Sequence, residues 1–467
     1  MIPIFRSDCS FLLKLVSNTS GTGGKEHLTH ERNTGAKLAL STLSFVKKLA
    51  SKTRYAGTDG ERDAYYLISE EFEKLGCKVE KEETEYIKST MFLILINLLT
   101  YWLTLVFIII SWLIHPLTVA LLIIAVFGGM TKLVPKVTLK LAKTKSINVT
   151  ATVNPERQHR LILCGHYDSS QVKSKFAQKY EKRITNVVPA MELAFIVYFV
   201  LLFVRGAYLL AVSNFNFALL IDLTPKMLGL WSVLWWSYTI VFLVMIVIGT
   251  YYGITMFTER YSYGADDNAS GIAVMMETAK RLHGKDLNLR IDFISFAAEE
   301  KGLFGSTKWV NKHVKEIDKE RTYVLNLDCV GRGERFFIIK GLGMIFKKHS
   351  DQMLFDLLTN VFSELQLPYE ECWSGSSDHA EFVNKRFRTC AIFRFNVKKA
   401  NIAQTILRNL FRMPIRTNSI PDEDWIHTEK DTAENIEEQR LEETTLVTVK
   451  FIEKLDEKIK IGSAGTH

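Results

Sequence analysis

The sequence predicts an α/β fold: a mixed, mostly parallel sheet flanked by helices and interrupted by two inserted transmembrane helical hairpins. Short apolar runs of strand length alternate with segments whose apolar residues recur at helical spacing, as in folds with parallel sheets. Two much longer apolar regions are nearly free of charge, and 47% of the 467 residues are hydrophobic. A hairpin returns the chain to the side it left, so such insertions leave a sheet intact.

The predicted strands are short, apolar and rich in β-branched residues. They lie near Val79 and at 147–153, 160–164, 290–296, 322–327 and 388–393. Apolar residues at helical spacing predict helices at 35–50, 64–75 and 270–282. This alternation of strands and helices is typical of a parallel sheet with helices on its faces.

The long apolar regions predict four membrane spans. Residues 91–114 carry no charge and are long enough to cross a bilayer, and the apolar character resumes after His115 and Pro116. A second pair of apolar runs covers 187–204 and 227–257. Buried core helices are the alternative, but these rarely exceed about 20 residues without a charge.

The distribution of lysines predicts the orientation in the membrane. Basic residues follow the first hairpin and precede the second, whereas the opposite ends carry only Arg205 and Lys226. By the positive-inside rule the polar part of this multi-pass chain is cytoplasmic. The net charge of +8 then reflects lysines that face anionic headgroups, and no basic helix with interleaved aromatic residues indicates a nucleic-acid partner.

These features divide the chain into seven segments. A flexible tail covers 1–33, the hairpins cover 91–131 and 187–257, three parts of one globular domain cover 34–90, 132–186 and 258–460, and a second tail covers 461–467. The six cysteines include no Cys-x-x-Cys pair, which argues against a thiolate zinc site and against a disulfide framework.

Candidate functional side chains follow the ends of predicted strands. His166 and Asp168 follow one strand, the adjacent Glu299 and Glu300 follow another, and Asp328 follows a third. Two adjacent carboxylates are electrostatically unfavourable unless a cation is near or one is protonated. Each signal alone is weak, but the carboxyl ends of strands in open α/β sheets are where such folds place their sites.

Two further candidates lie in loops that precede helices. The stretch Gly-Ala-Asp-Asp267-Asn-Ala-Ser-Gly opens the helix at 270–282, and helix capping explains only one of its two aspartates. His427 lies in Trp-Ile-His-Thr-Glu-Lys-Asp, shortly before a helix that starts near Ala433. These loops add one carboxylate and one imidazole to the candidate set.

In order along the chain, these stretches resemble the co-catalytic two-zinc aminopeptidases and their glutamate carboxypeptidase relatives, a family of zinc exopeptidases. The resemblance is carried by Cys-Gly-His166-Tyr-Asp168, Gly-Ala-Asp-Asp267-Asn-Ala-Ser-Gly, Ala-Ala-Glu299-Glu300-Lys-Gly-Leu-Phe-Gly-Ser, Asn-Leu-Asp328-Cys-Val-Gly and Ile-His427-Thr-Glu-Lys-Asp-Thr. It covers the polar part of the chain. The apolar insertions depart from the soluble members, which makes this chain a membrane-embedded member.

The resemblance implies a zinc-exopeptidase fold that binds two zinc ions. His166 and Asp328 are expected to hold one ion, Glu300 and His427 the other, and Asp267 to bridge both. Cobalt or manganese suits related ligand sets.

The resemblance also implies roles in catalysis. Glu299 is expected to act as the general base, which takes a proton from a water or hydroxide bridging the metals and passes it to the leaving amine. Asp168 is expected to hold His166 in one tautomer, and His379, in Ser-Asp-His-Ala-Glu-Phe, to stabilise the oxyanion. The family often has a cis peptide bond after the bridging aspartate, here before Asn268.

The predicted function is therefore a membrane-anchored zinc metallopeptidase, an aminopeptidase that hydrolyses the N-terminal bonds of peptides at a lipid bilayer. A glutaminyl-cyclase-like aminoacyltransferase is an alternative, because such enzymes share the fold and a similar His-Tyr-Asp segment. A non-catalytic peptide-binding scaffold is a third reading, although scaffolds on this fold typically lose ligands that this chain retains.

Overall fold

The computed structural model describes residues 41–110, 116–180, 224–343, 347–373, 377–413 and 419–464, with scattered residues between 193 and 207. Its helices are α1 (Thr42–Leu49), α2 (Asp59–Lys74), α3 (Thr90–Ile110), α4 (Pro116–Leu141), α5 (Thr224–Thr255), α6 (Gly271–Leu282), α7 (Phe304–His313), α8 (Gln352–Glu364), α9 (His379–Asn384), α10 (Ile402–Leu410) and α11 (Glu438–Ala464). Its strands are β1 (Lys78–Tyr86), β2 (Thr144–Val153), β3 (His159–His166), β4 (Gln171–Lys173), β5 (Phe257–Tyr261), β6 (Leu289–Phe296), β7 (Thr322–Leu327), β8 (Arg335–Ile339), β9 (Gly341–Leu342), β10 (Lys348–His349), β11 (Tyr369–Cys372), β12 (Arg388–Lys399) and β13 (Ser419–Asp422).

A nine-stranded mixed sheet lies at the centre, in the order β1-β2-β6-β3-β7-β12-β8-β11, with β13 paired to β12. The strands β6, β3, β7 and β12 run parallel to one another. On either side, β2 pairs antiparallel with β6 and β8 pairs antiparallel with β12. The predicted α/β fold with a mixed sheet is confirmed, but the sheet is not mostly parallel, since four of its eight described strand pairs are antiparallel and the parallel ones lie mainly at its centre.

The parallel strands are buried on both faces, which explains why they read as continuous apolar runs. Leu161 and Leu163 of β3 face one layer, which includes α1, α2, α6, α8 and α11. Ile162 and Cys164, which alternate with them, face a second layer that includes α7 and α9. The sheet is therefore covered by helices on both faces.

The edge at which β3, β6 and β7 end is called the carboxyl edge here. The antiparallel register places Val149 of β2 opposite Ser295 of β6, and Tyr86 of β1 opposite Thr144. The chain therefore leaves β1 into α3, and returns from α4 into β2, at the carboxyl edge. The helix α5 joins the same edge, because β5 follows it and pairs with β4, just after β3.

The helices α3, α4 and α5 are the apolar insertions. By length and composition, one stretch of the described helices, Trp236–Thr255, is suited to cross a membrane, with 22% of its apolar window buried. That is weak evidence for a span, because a core helix of a soluble protein can meet the same criteria. The predicted pair of transmembrane hairpins, with four spans in a multi-pass chain, is not supported beyond this stretch.

One physical difference concerns the first hairpin. The helix α4 continues to Leu141, past the predicted hairpin end at 131, and its later turns carry Lys136 and Lys140, so its uncharged part is shorter than a typical span. Half of the predicted span at 187–204 and the whole of the predicted tail at 1–33 lie outside the described residues. At the other end of the chain, α11 continues to Ala464, into the predicted tail.

Candidate metal centre

The candidate residues gather at the carboxyl edge, although they come from five separate segments. His166 is the last residue of β3, and Asp328 directly follows β7. Asp267 lies in the irregular turn before α6, Glu300 lies between β6 and α7, and His427 lies between β13 and α11. The three strand ends bring together side chains that are far apart in the sequence.

The five side chains form two groups that share one carboxylate. In the first, called the strand group, His166 Nε2 lies 3.1 Å from Asp267 Oδ1 and 3.6 Å from Asp328 Oδ1. In the second, called the loop group, His427 Nε2 lies 3.1 Å from Asp267 Oδ2 and 3.2 Å from Glu300 Oε2. Asp267 therefore turns one oxygen toward each group.

The chemistry of these groups fits metal ions. Within each group the ligand atoms lie within 4.8 Å of one another. Among the described residues, the buried atoms Asp328 Oδ1 and Glu300 Oε1 have no hydrogen-bond partner. A buried carboxylate oxygen without a partner is costly unless a cation or donor meets it. Imidazole and carboxylate ligands of this kind suit zinc.

The turn that carries Asp267 is fixed by its neighbour Asn268. The peptide bond between the two residues is cis, as the family resemblance implied. The Asn268 amide donates to the carbonyl of Leu327 at 2.9 Å, and its Oδ1 accepts from the backbone N–H of Gly271 at 3.0 Å and of Cys329 at 3.3 Å. These bonds tie the turn to the end of β7, beside Asp328.

Asp168 connects the two groups. Its Oδ1 lies 3.5 Å from His166 Nδ1, which is closer to the backbone carbonyl of Asp168 at 3.2 Å, and the orienting role of the carboxylate stays a prediction. The same carboxylate accepts hydrogen bonds from the backbone N–H of Glu299 at 3.1 Å and of Glu300 at 3.2 Å. Asp168 therefore holds the Glu299–Glu300 turn, a contact that sequence reasoning had not found.

Asp431 is a functional candidate that sequence reasoning missed. Its carboxylate accepts hydrogen bonds from the backbone N–H of Asp266 at 2.6 Å and of Asp267 at 3.2 Å. Burial, reinforced by the charge of Asp267, raises the pKa of Asp431 to about 7. The available signal was its place four residues after His427, within a stretch that had already been singled out.

Arg54 was also missed. Its guanidinium is fully buried and donates to the carbonyls of Tyr167 at 2.7 Å, Gly264 at 2.7 Å and Tyr263 at 2.6 Å. Desolvation lowers its pKa to about 10, so it stays charged at neutral pH. One arginine thus joins the segment before Asp168 to the turn before Asp267, and the signal for it was its place at the start of the stretch 54–76, which also resembles the family.

The titration of the site reflects burial of many charges. Burial, partly offset by the imidazole of His166 and reinforced by the charge of Glu300, raises the pKa of Glu299 well above its usual range. Burial also raises the pKa of Glu300 to about 7. Although burial opposes ionisation of Asp267, hydrogen bonds from the two imidazoles hold its pKa far below the usual value.

His379 begins α9 and is fully buried. Burial lowers the pKa of its imidazole to about 4, so the ring is neutral at pH 7. Within the described part of the chain, neither ring nitrogen has a hydrogen-bond partner. No hydrogen bond or ion pair between described residues joins it to the two groups, and its role in oxyanion stabilisation stays a prediction.

Part of the chain matches a known family. Residues 250–452 match the family described as Peptidase family M28. That segment contains every predicted site residue except His166 and Asp168, which the structure brings to the same edge of the sheet. The two residues outside the match thus complete a site whose other members lie inside it.

Individual proteins also match parts of the chain. "Aminopeptidase YwaD" of Bacillus subtilis (strain 168) is 30% identical over 205 residues, which cover 43% of this chain and 40% of that protein. "Probable glutamate carboxypeptidase LAMP1" of Arabidopsis thaliana is 31% identical over 131 residues, 26% of this chain and 18% of that protein. The chain thus spans well under half the length of either relative.

A solved structure shares the fold. The crystal structure of Porphyromonas gingivalis glutaminyl cyclase superposes with a TM-score of 0.50 at 15% identity, over 89% of this chain and 97% of that chain. At this identity the likeness shows the fold alone. It agrees with a mixed sheet flanked by helices.

Proposed function

We propose that the protein is a zinc-dependent exopeptidase that acts as an aminopeptidase, a proposal that the match of residues 250–452 to Peptidase family M28 supports. One observation carries the proposal: Asp267 offers one carboxylate oxygen to the strand group and the other to the loop group. Sites that bind two metal ions close together serve hydrolysis. The longer of the two matches reported above is to a protein named as an aminopeptidase.

The ligands divide between the two groups. His166 and Asp328 would hold one zinc ion, Glu300 and His427 the second, and Asp267 would contact both. When bound, zinc supplies polarisation of the scissile carbonyl and a lowered pKa for coordinated water. The three carboxylates carry less negative charge than two zinc ions carry positive charge, which leaves the site attractive to an electron-rich substrate oxygen.

Glu299 would move the proton. It neighbours Glu300 in the turn after β6 and belongs to neither candidate metal group, so Glu300 would bind metal while Glu299 stays free. Its raised pKa favours accepting a proton from the attacking water and donating it to the leaving amine. Asp168 would keep both glutamates in place through their backbone N–H groups.

His379 would serve as a neutral donor to the substrate carbonyl oxygen. Its lowered pKa leaves one ring N–H at neutral pH, and neither ring nitrogen is engaged by another described residue. A donor that is already desolvated stabilises developing negative charge more strongly than one in water.

The apolar helices would hold this peptidase at a membrane. Trp236–Thr255 has the length and composition of a span. The helix α3 adds 21 residues without a charged side chain. Both helices join the carboxyl edge, which favours a catalytic domain that rests close to the lipid.

The test uses the full chain, purified in detergent and analysed for zinc. Wild type, Glu299→Gln and the exposed control Glu320→Gln are incubated with peptides whose N-termini are free or acetylated, and products are identified by mass spectrometry. We expect release of N-terminal residues from free peptides only. Glu299→Gln should keep its zinc and lose activity by about a hundredfold or more, whereas Glu320→Gln should match wild type.

Other outcomes would replace the proposal. Release of C-terminal residues would indicate a carboxypeptidase. Cyclisation of N-terminal glutamine with loss of ammonia would favour an aminoacyltransferase related to glutaminyl cyclases. A zinc-loaded wild type that alters none of the peptides would favour a binding scaffold.

A further inference from the structure

The helices α3, α4 and α5 leave many large apolar side chains exposed. Leu95 of α3 is 48% exposed, and Trp236 and Ile248 of α5 are each 54% exposed. Contiguous apolar surface of this kind is rare on soluble monomers and marks a surface that meets a protein or a lipid. We therefore expect a protein or a lipid to cover this exposed face.

The three helices form one unit instead of lying singly on the sheet. Trp102 Nε1 of α3 donates to Thr250 Oγ1 of α5 at 3.2 Å. A Cβ placed on Gly253 would lie 3.3 Å from the side chain of Ile94, so the absence of a side chain permits close approach. Small residues at helix contacts are typical of helices that pack within a bilayer. The apolar faces that remain exposed point away from this packing.

Lysines mark the end of the unit that meets the sheet. Six lysines are called the lysine belt here. One precedes α3, three lie in or just after the last turns of α4, and two follow β4. The lysine belt consists of Lys88, Lys136, Lys140, Lys143, Lys175 and Lys179, all exposed. Within the described ranges, none of the six forms an ion pair with a carboxylate. An apolar unit bordered by unneutralised lysines complements a bilayer with anionic headgroups.

The loops that carry Glu300 and His427 lie at the same end of the three helices as the lysine belt. Lys301, next to Glu300, donates to the backbone carbonyl of Lys88 at 2.9 Å and to Thr90 Oγ1 at 2.8 Å, at the start of α3. At the end of α5, the ring centroid of Phe257 lies 6.4 Å from that of His427. The two helices thus leave the domain beside the loop group.

We infer that the protein docks on an anionic phospholipid bilayer through α3, α4, α5 and the lysine belt, and that it trims peptides whose free ends lie at that surface. The inference rests on the proposed function for its substrate class. The apolar faces enter the lipid and the lysines meet the headgroups. Since the loop group adjoins the helix ends, membrane-bound peptides reach the site at a raised local concentration.

The first experiment measures lipid docking without using activity. Full-length protein is added to vesicles of phosphatidylcholine alone, or with phosphatidylglycerol, and recovered by flotation. The belt variant is Lys136→Gln/Lys140→Gln/Lys143→Gln. The control with the same change in charge is Lys454→Gln/Lys458→Gln/Lys460→Gln on α11, where Lys460 lies near Asn288 and His159 at the opposite edge of the sheet.

We expect anionic vesicles to bind the wild type and the control equally. The belt variant should bind anionic vesicles about tenfold or more weakly, with a smaller difference as salt rises. Equal binding to both lipid mixtures, or equal binding of the belt variant, would overturn the anionic docking surface. Thermal melting of each variant checks that folding is unchanged.

The second experiment measures kcat/KM for two peptides with the same free N-terminal sequence, one soluble and one carrying a C-terminal palmitoyl chain. In anionic vesicles the anchored peptide should be preferred by about tenfold or more, and the belt variant should lose that preference. Equal kcat/KM for both peptides would overturn the substrate class. Absence of cleavage of either peptide would count against the proposed function, while flotation would still decide the docking surface.

Discussion

The strand group and the loop group have similar ligands but rest on different parts of the fold. His166 and Asp328 lie at the ends of the adjacent central strands β3 and β7, with side-chain exposures of 1% and 8%. Glu300 and His427 come from a turn and a loop, and His427 is 23% exposed. The φ of His427 is 61°, in the left-handed region that residues other than glycine rarely adopt.

This difference shows where each group gets its geometry. Backbone pairing in the sheet fixes the strand group. The loop group depends on isolated hydrogen bonds, such as that from the backbone N–H of Lys173 to the carbonyl of His427 at 2.8 Å. Asp168 supports Glu300 in the same way. Substitutions and chelators should therefore weaken metal binding in the loop group before they weaken it in the strand group.

The largest expected effect comes from the residue that both groups share. Asp267→Asn would replace one carboxylate oxygen with an N–H donor, so one group gains a donor where it needs a ligand. We expect loss of bound zinc from both groups and a fall in kcat/KM on the order of a thousandfold or more. Zinc analysis and peptide kinetics on the same preparation check this.

Its neighbour provides the control. Asp266 accepts from the backbone N–H of Gly331 at 2.7 Å and belongs to neither group. An asparagine can keep that acceptor, so Asp266→Asn should retain zinc and most activity. Full zinc content in Asp267→Asn would show that the shared carboxylate does not bridge the groups.

Metal removal separates the groups. With a chromophoric chelator, wild type should release one zinc equivalent quickly, from the more exposed loop group, and the second about tenfold or more slowly. His427→Ala should lack the fast phase. A single phase, or a fast phase that His166→Ala removes instead, would reverse the comparison.

Asp168→Asn should lower activity and metal binding less than loss of a ligand does, but it should weaken metal binding in both groups. The amide keeps one acceptor oxygen, while its NH₂ would face a backbone N–H of the Glu299–Glu300 turn or the ring of His166. We expect a loss in kcat/KM of about 10–100-fold and faster release of both ions. Unchanged release from the strand group would confine the role of Asp168 to the turn.

Much of the fold was predictable because buried parallel strands read as apolar runs. The strands β3, β6 and β7 were placed within a few residues, and so were the ligands at their ends. The C-terminal end of α4 was not predicted correctly. A helix can carry lysines on one side and even Pro135 without ending, whereas a prediction of membrane spans stops at the first charges.

The contacts around the ligands were less predictable than the ligands. Asp168 meets the N–H of Glu299 across 131 positions of sequence, and Arg54 meets Tyr263 across 209. Hydrophobic periodicity describes neighbours along one element and carries no information about which loops meet. Motif resemblance located His427 and Asp267, but the hydrogen bonds that hold their backbones emerge only from the folded chain.

The smallest expected effect gives the sharpest test, because two buried serines form a matched pair. Ser262 Oγ donates to the carbonyl of Thr428 at 3.2 Å, next to the ligand His427. Ser270 Oγ accepts from the backbone N–H of Val330 at 3.0 Å, near the ligand Asp328. Ser262→Ala leaves the backbone N–H of Gly264 without its acceptor, and Ser270→Ala does the same to the N–H of Val330, so each should lower the free energy of unfolding by about 1–3 kcal/mol.

The two variants should nevertheless differ in metal release. Ser262→Ala should speed the fast phase about threefold to tenfold, since roughly 1 kcal/mol of support for the loop is lost. Ser270 Oγ also donates to the carbonyl of Asp266 at 2.7 Å, but the Asp431 carboxylate still holds the backbone N–H groups of Asp266 and Asp267. The pairing of β7 with β3 and β12 still holds Asp328, so Ser270→Ala should leave both phases unchanged. Equal acceleration by both substitutions, measured at matched thermal stability, would mean that general loosening, and not the difference between strand and loop, governs how the site holds its metals.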